Sequence, residues 1–283
     1  MQPSLYDQWT NEGYVVVPQL FAAERAANLR TICDRILEQW RITDPQTGET
    51  HDDPNVNCMR HLNHPAYFSG RHSDFVEIMG AASDPNVLAV GREILDEEPL
   101  FRCTSYFFNP LKDSQDGNWH RDTQFMHRDP EIEKKTLLER AMVEGVQMQV
   151  ALVPSDDIEY VPGSHMRWDT PDEFNIRLAD GERNSRSNHM PGALRLKLNA
   201  GDAVLFNPSG LHRGRYHTDK LRRTLMLTYT RTSKPHYDYF SNQPWFLEPG
   251  HLDGLDAKTK AFFEKYIEAY TADWRKDLQP AAV

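Results

Sequence analysis

The chain has 283 residues, a hydrophobic content of 39% and a formal net charge of −10. Its size and composition fit a globular protein with a substantial core, and its acidity argues against nucleic acid or an anionic membrane as a partner. The start of the chain lacks a basic segment followed by an apolar run, and no stretch is long and apolar enough to cross a membrane. Cys33, Cys58 and Cys103 lack metal-type spacing, so we expect reduced thiols in a cytoplasmic protein.

The first 99 residues are predicted to be mostly helical. Apolar side chains recur at intervals of three and four along 22–40, which is typical of a helix with one face on a core. Asp84 and Pro85 match the cap and first turn of another helix. In chain order, this part predicts a helix at 5–9, a strand at 14–18, the helix at 22–40, a loop at 41–57, a helix at 72–79 and the helix after Asp84.

Strands dominate from residue 100 onward, where β-branched and aromatic side chains fill short segments between polar turns. The predicted strands are 101–108, 119–125, 146–152, 193–198, 203–206 and 224–231. A helical insertion is expected at 131–143 and a closing helix from about 256. Helices followed by many short strands favour an antiparallel double-sheet barrel with flanking helices. We predict one mainly β domain over 1–283, with a helical flank at 1–99, the barrel core at 100–231 and a helical tail at 232–283.

The segment 168–192 is long, polar and rich in Gly, Asn and Ser. Connections of this length inside a compact domain are usually functional loops or disordered ones. We predict that it forms a mobile lid over the active site, because lids that close on a substrate exclude water.

One tripeptide has the spacing of a metal site. Side chains two residues apart in a strand point to the same face, so His120 and Asp122 would lie side by side. A histidine from a distant strand would complete a set of two imidazoles and one carboxylate, which leaves positions open on a metal for small molecules. Alone the HxD tripeptide is weak evidence for a metal site, since most such tripeptides are two polar residues on a solvated strand.

Several segments in the right order strengthen this interpretation. The matching segments are Glu12–Pro18 before a long helix, Trp119–Asp122 with its HxD motif, the PGSH turn within Val161–His165, and Ala200–Phe206 leading to His212. With these motifs the chain resembles the phytanoyl-CoA dioxygenase family of Fe(II)- and 2-oxoglutarate-dependent oxygenases.

The resemblance implies a double-stranded β-helix, or jelly-roll, core and a metal-binding oxidoreductase. Its iron ligands would be His120, Asp122 and His212, and its co-substrate would be 2-oxoglutarate. The expected reaction consumes O₂, releases succinate and CO₂, and hydroxylates a small molecule or a carrier-bound acyl group. A halogenase of this family would have a small residue in place of Asp122, so its carboxylate favours hydroxylation.

The anionic co-substrate needs a cation, and the planar fork of arginine suits a carboxylate. Arg222 and Arg223 are adjacent in a predicted strand and therefore point to opposite faces. Arg223 shares its face with a continuous apolar stripe, whereas Arg222 shares its face with small or polar residues. We predict that Arg222 binds 2-oxoglutarate with Thr224 as a hydroxyl partner. We also assign Gln149 to this site, at a position where the family often has tryptophan.

Two other classes of function remain open from the residues. One is a jelly-roll binding or scaffold protein with a vestigial metal site. The other is a metal-dependent enzyme that does not use 2-oxoglutarate. Gly214, two residues after His212, stands where the family commonly has serine and leaves this second alternative open. His165 in the PGSH turn is expected to fix its loop by hydrogen bonding rather than to bind metal.

Overall fold

The structure, a computed structural model, describes residues 4–139 and 145–278. Strands within these ranges form two antiparallel sheets. The strands are β1 (Tyr14–Val17), β2 (Cys58–Arg60), β3 (Pro99–Phe108), β4 (Gln115–Asp116), β5 (Gly145–Ala151), β6 (Ser155–Tyr160), β7 (Leu194–Leu198), β8 (Ala203–Phe206), β9 (His212–Tyr216) and β10 (Arg223–Arg231). One sheet has the order β1-β8-β5-β10-β3-β2, and the other has the order β4-β9-β6-β7.

The two sheets pack face to face. Ala151 and Phe206 of the six-stranded sheet share one apolar cluster with Ile158 and Leu196 of the four-stranded sheet. Inward-facing residues of two such sheets interdigitate, while every second residue along a strand faces outward. The sandwich confirms the predicted jelly-roll class with flanking helices.

Helices cover the outer face of the six-stranded sheet. The helices of the described chain are α1 (Leu5–Glu12), α2 (Ala23–Ile42), α3 (His72–Ala82), α4 (Pro85–Leu95), α5 (Thr123–Met126), α6 (Pro130–Leu138), α7 (Pro171–Arg177), α8 (Ala179–Glu182) and α9 (Ala257–Asp277). Apolar faces of α2, α3, α4 and α9 share the main core with Leu225, Leu227 and Tyr229 of β10. Tyr229 Oη also donates a hydrogen bond to the Ala82 carbonyl, 2.7 Å away. This face of β10 is therefore the outer one.

The HxD motif does not lie in a strand, contrary to the prediction. His120 forms an isolated bridge with His212, and Asp122 has helical dihedral angles (φ −63°, ψ −21°) just before α5. The Asp122 amide donates to the Pro208 carbonyl at 2.9 Å, which holds the chain in this turn. The two side chains still converge, but through a bridge and a helical turn rather than through strand alternation.

Two other predictions of elements change. The strand predicted at 14–18 is confirmed as β1, but the helical flank also supplies β2, which the sequence did not predict, and β1 and β2 form the two edges of the six-stranded sheet. The segment 168–192 contains α7 and α8 rather than a continuous loop. The predicted helix at 131–143 corresponds to α6, and residues 140–144 lie outside the described ranges. Along the described ranges, no helix has the length and apolar character needed to cross a bilayer.

Candidate active site

A cavity of about 600 Å³ opens between the two sheets. The six-stranded sheet lines it from β2, β3, β5, β8 and β10, and the four-stranded sheet lines it from β6 and β9. The lining residues include His120, Asp122, Gln149, His212 and Arg222, all of which the sequence singled out. The fold therefore brings together side chains that are up to 102 residues apart in the chain, from His120 to Arg222.

Three of these side chains, His120, Asp122 and His212, form a group that can hold a metal ion and is called the metal group below. One ligand atom each from His120, Asp122 and His212 lies within 4.8 Å of the other two. Asp122 Oδ1 is 3.6 Å from Nε2 of His120 and 3.6 Å from Nε2 of His212. Two ligand atoms that each lie about 2.1 Å from the same ion are roughly 3 to 4 Å from each other. Two imidazoles and one carboxylate on one side of an ion suit Fe(II) with open positions.

Backbone carbonyls orient both histidines. His120 Nδ1 lies 2.7 Å from the Asn118 carbonyl, and His212 Nδ1 lies 2.9 Å from the Gly210 carbonyl. A carbonyl can only accept, so each Nδ1 carries the proton and each Nε2 offers its lone pair toward the cavity. Burial and the neighbouring His120 lower the pKa of His212 to about 4, which keeps this imidazole neutral and ready to bind metal.

Gln147 positions the carboxylate of Asp122. Its Nε2 donates to Asp122 Oδ2 at 2.6 Å, which leaves Oδ1 to face the two histidines. Groups that hold metal ligands in this way tune metal affinity. Sequence reasoning missed this role. The only sequence signal was strand parity, which places Gln147 and Gln149 on the face opposite the apolar residues of β5.

Arg121, the middle residue of the HxD motif, is the second residue that sequence reasoning missed. Its side chain is fully buried and forms an ion pair with Asp169, with Nη2 2.8 Å from Oδ1. Its Nη1 donates to the Ser164 carbonyl at 2.7 Å and to the Ser209 carbonyl at 2.6 Å. Ser164 belongs to the PGSH turn, and Ser209 precedes His212. Arg121 therefore ties together the three segments that carry the metal-ligand motifs.

The adjacent arginines point in opposite directions. Arg222 is 1% exposed and lines the cavity, where its Cζ lies 4.3 Å from the centroid of the Tyr216 ring. Its Nη1 donates to the Arg215 carbonyl, and its buried Nε has no hydrogen-bond partner. Arg223 lies outside the cavity and pairs with Asp34 of α2 at 2.5 Å. Strand parity thus predicted both directions correctly.

The packing around Arg222 explains Gly214. A Cβ atom added at Gly214 would lie 2.6 Å from Arg222 Nη1 and 2.8 Å from Tyr216 Oη. Such contacts are far closer than van der Waals distances allow, so a serine cannot be placed here without moving the arginine. The Tyr216–Arg222 pair therefore occupies the space that a side chain at residue 214 would need.

The other two predicted co-substrate residues differ in position. Gln149 lines the cavity, its Nε2 contacts Met226 Sδ at 3.9 Å, and its Oε1 has no partner. Thr224 is 1% exposed with an unpartnered hydroxyl, but it does not line the cavity. Each has an unpartnered polar atom, but only Gln149 borders the cavity, and the role of Thr224 in binding the co-substrate stays a prediction.

The segment predicted to form a lid does not border the cavity. No residue of 168–192 is among the described residues that line the cavity. Asp169 and Arg177 of this segment have fully buried side chains that pair at 2.8 Å. Phe125 and Met126 line the cavity instead, and they are 69% and 53% exposed. Buried ion pairs therefore fasten the start of 168–192, where the sequence predicted a mobile segment, and closure of this segment over the active site stays a prediction.

His165 does not join the metal group. It is buried, and its Nε2 lies 3.2 Å from the Thr10 carbonyl at the end of α1. This contact agrees with the predicted structural role.

Comparisons with known proteins agree with this geometry. Residues 9–224 match the family model described as phytanoyl-CoA dioxygenase (PhyH). The chain is 22% identical to ectoine dioxygenase from Sphingopyxis alaskensis over 87% of both chains. Two crystal structures with related folds are EctD from S. alaskensis with 2-oxoglutarate and 5-hydroxyectoine, and the non-heme alpha ketoglutarate dependent carbocyclase SnoK from nogalamycin biosynthesis.

The structural matches cover most of each chain. For EctD the TM-score is 0.59 at 19% identity, over 92% of this chain and 86% of EctD. For SnoK the TM-score is 0.56 at 15% identity, over 82% and 85% of the two chains. At these identities the structural likeness establishes the shared fold.

Proposed function

The chain belongs to the phytanoyl-CoA dioxygenase family and is an Fe(II)- and 2-oxoglutarate-dependent oxygenase, and we propose that it hydroxylates a carbon atom of a small molecule held in the cavity. In this proposal His120, Asp122 and His212 bind the iron. The observation that carries it is the position of Asp122 Oδ1, 3.6 Å from Nε2 of each histidine. The oxidant is O₂: with Fe(II) and 2-oxoglutarate bound, one oxygen atom would enter succinate as CO₂ leaves, and the other would enter the substrate as its new hydroxyl group.

The chain's own residues hold and orient these partners. Gln147 and the carbonyl acceptors of the two histidines fix the ligand atoms before the metal binds, so little reorganisation is needed. Arg222 presents a buried guanidinium for the distal carboxylate of 2-oxoglutarate. Asp122 occupies a ligand position that a halogenase would leave free for chloride, and this supports hydroxylation.

An anaerobic titration tests the proposal. Protein loaded with Fe(II) should develop a visible metal-to-ligand charge-transfer band as 2-oxoglutarate is added, and admission of O₂ should produce succinate. The Asp122→Ala variant should bind iron weakly and give no band, while its thermal unfolding stays close to that of the parent protein, because packing rather than this carboxylate stabilises the strands. A normal band in Asp122→Ala would show that the iron lies elsewhere.

A further inference from the structure

The cavity contains one more positive charge than the proposed co-substrate uses. Four arginines are among the described residues that line it: Arg60, Arg102, Arg213 and Arg222. Arg102 pairs with Asp238, and Arg213 pairs with a buried glutamate at 2.5 Å. Neither of the other two forms an ion pair with any carboxylate that the structure describes within 4.0 Å. Arg60 therefore remains a cation without a counter-ion.

The charge of Asp122 reaches Arg60, but from beyond the 4.0 Å of an ion pair, and the proposed function already assigns this carboxylate to the metal. The Nε of Arg60 is buried without a hydrogen-bond partner, and its Cζ lies 5.1 Å from the centroid of the Phe240 ring. Two thiols are nearby, but burial raises the pKa of Cys58 and raises that of Cys103 to about 11, so both are protonated at neutral pH. A partly buried guanidinium without a counter-charge is costly unless an anion binds to it.

The backbones of Arg60 and Arg222 belong to different segments of the cavity wall, although the charges of both side chains act on Cys58 and Tyr216. Arg222 packs beside Gly214, two residues beyond the metal-group residue His212. Arg60 lies on β2, separated by β10 and β3 from β5, which carries Gln147. Three strand spacings of about 4.8 Å place the backbone of Arg60 roughly 14 Å from that of Gln147. The long side chain of Arg60 then points back into the cavity toward Phe240.

A charge count indicates what kind of ligand fits. The two positive charges of Fe(II) balance the two negative charges of 2-oxoglutarate, and Asp122 balances one of the two unpaired arginines. One positive charge remains, which matches a monoanion better than a phosphate dianion. We propose that Arg60 binds a carboxylate of the substrate, so that the substrate is a small carboxylic acid oxidised at a carbon between Arg60 and the metal group.

This inference rests on the proposed function, since it takes the second anion to be the molecule that is oxidised. It can be tested by calorimetry on holoenzyme that contains Fe(II) and saturating 2-oxoglutarate without O₂. The probes are three acids and their primary amides: octanoate and octanamide, 3-phenylpropionate and its amide, and N-acetylproline and its amide. Each pair differs in charge and hardly in shape.

At least one acid should bind the parent protein about tenfold to a hundredfold more tightly than its amide, the range expected for a charge-assisted hydrogen bond. Arg60→Gln should abolish this preference, and Arg60→Lys should retain part of it because the charge stays while the fork is lost. Phe240→Leu, which removes the stacked ring but keeps the charge, should preserve the preference. The Kd of 2-oxoglutarate should be unchanged in all three variants.

Two results would overturn the inference while leaving the oxygenase assignment intact. One is the absence of any acid-over-amide preference in the parent protein, or its survival in Arg60→Gln. The other is a loss of 2-oxoglutarate affinity in Arg60→Gln as large as that in Arg222→Gln, which would assign Arg60 to the co-substrate. If the parent protein gives no charge-transfer band with 2-oxoglutarate, the proposed function fails instead.

Discussion

Replacing each of the two adjacent arginines in turn separates co-substrate binding from stability. Arg222→Gln removes the buried fork that faces the cavity, and Arg223→Gln removes a fork of the same shape on the outer face. Arg222 is 1% exposed, so a bound carboxylate there is shielded from water. Losing a charge-assisted, two-pronged contact in such a place costs about 3 kcal/mol. We therefore expect the Kd of 2-oxoglutarate to rise about a hundredfold or more.

Arg223→Gln is the matched control. Arg223 pairs with Asp34 and donates to Asn109 Oδ1 at 2.8 Å, and its side chain is 18% exposed. Partial exposure screens this pair, so the free energy of unfolding should fall by only about 1 kcal/mol. The Kd of 2-oxoglutarate should stay within about twofold of the parent value.

Both constants can be read from the charge-transfer band in anaerobic titrations of Fe(II)-loaded protein, with urea unfolding as the stability assay. The reasoning fails if Arg223→Gln loses the co-substrate and Arg222→Gln keeps it, because the register of β10 would then be shifted by one residue. It also fails if Arg222→Gln binds 2-oxoglutarate as tightly as the parent protein does.

Three further substitutions test the residues that support the site. Gln147→Leu removes the donor to Asp122 Oδ2, and we expect iron affinity to fall about tenfold to a hundredfold in competition with a chromophoric chelator. Unchanged iron affinity would mean that Asp122 is oriented by other contacts. Gly214→Ala places a methyl group 2.6 Å from Arg222 Nη1, so the Kd of 2-oxoglutarate should rise while iron affinity stays normal. A parent-like Kd would show that Arg222 can move at no cost. Arg121→Met leaves the buried carboxylate of Asp169 with one partner fewer, and should destabilise the protein by about 3 to 5 kcal/mol in denaturant unfolding. A loss below about 1 kcal/mol would mean that the Arg121–Asp169 ion pair contributes little to the stability of the protein.

The sequence by itself determined the features that depend on local repetition. Strand alternation was sufficient to place Arg222 inside and Arg223 outside, because neighbouring side chains in a strand must point to opposite faces. Helical spacing and the cap at Asp84 predicted α4, because a helix and its cap depend on residues that are close together in the chain. The motifs around His120 and His212, through their resemblance to the family, predicted the three side chains whose ligand atoms the structure brings within 4.8 Å of one another.

Tertiary structure decided every feature that depends on contacts distant in the chain. The turn at Asp122 follows from a hydrogen bond to Pro208, 86 residues downstream, and no local pattern announces it. The role of Gln147 follows from a carboxylate on another segment, and the burial of Arg121 follows from Asp169. Whether a cation is paired is likewise a property of its neighbours in space. Arg60 and Arg102 both lie in strands that line the cavity, yet only the folded chain gives Arg102 a carboxylate partner and leaves Arg60 without a described ion pair.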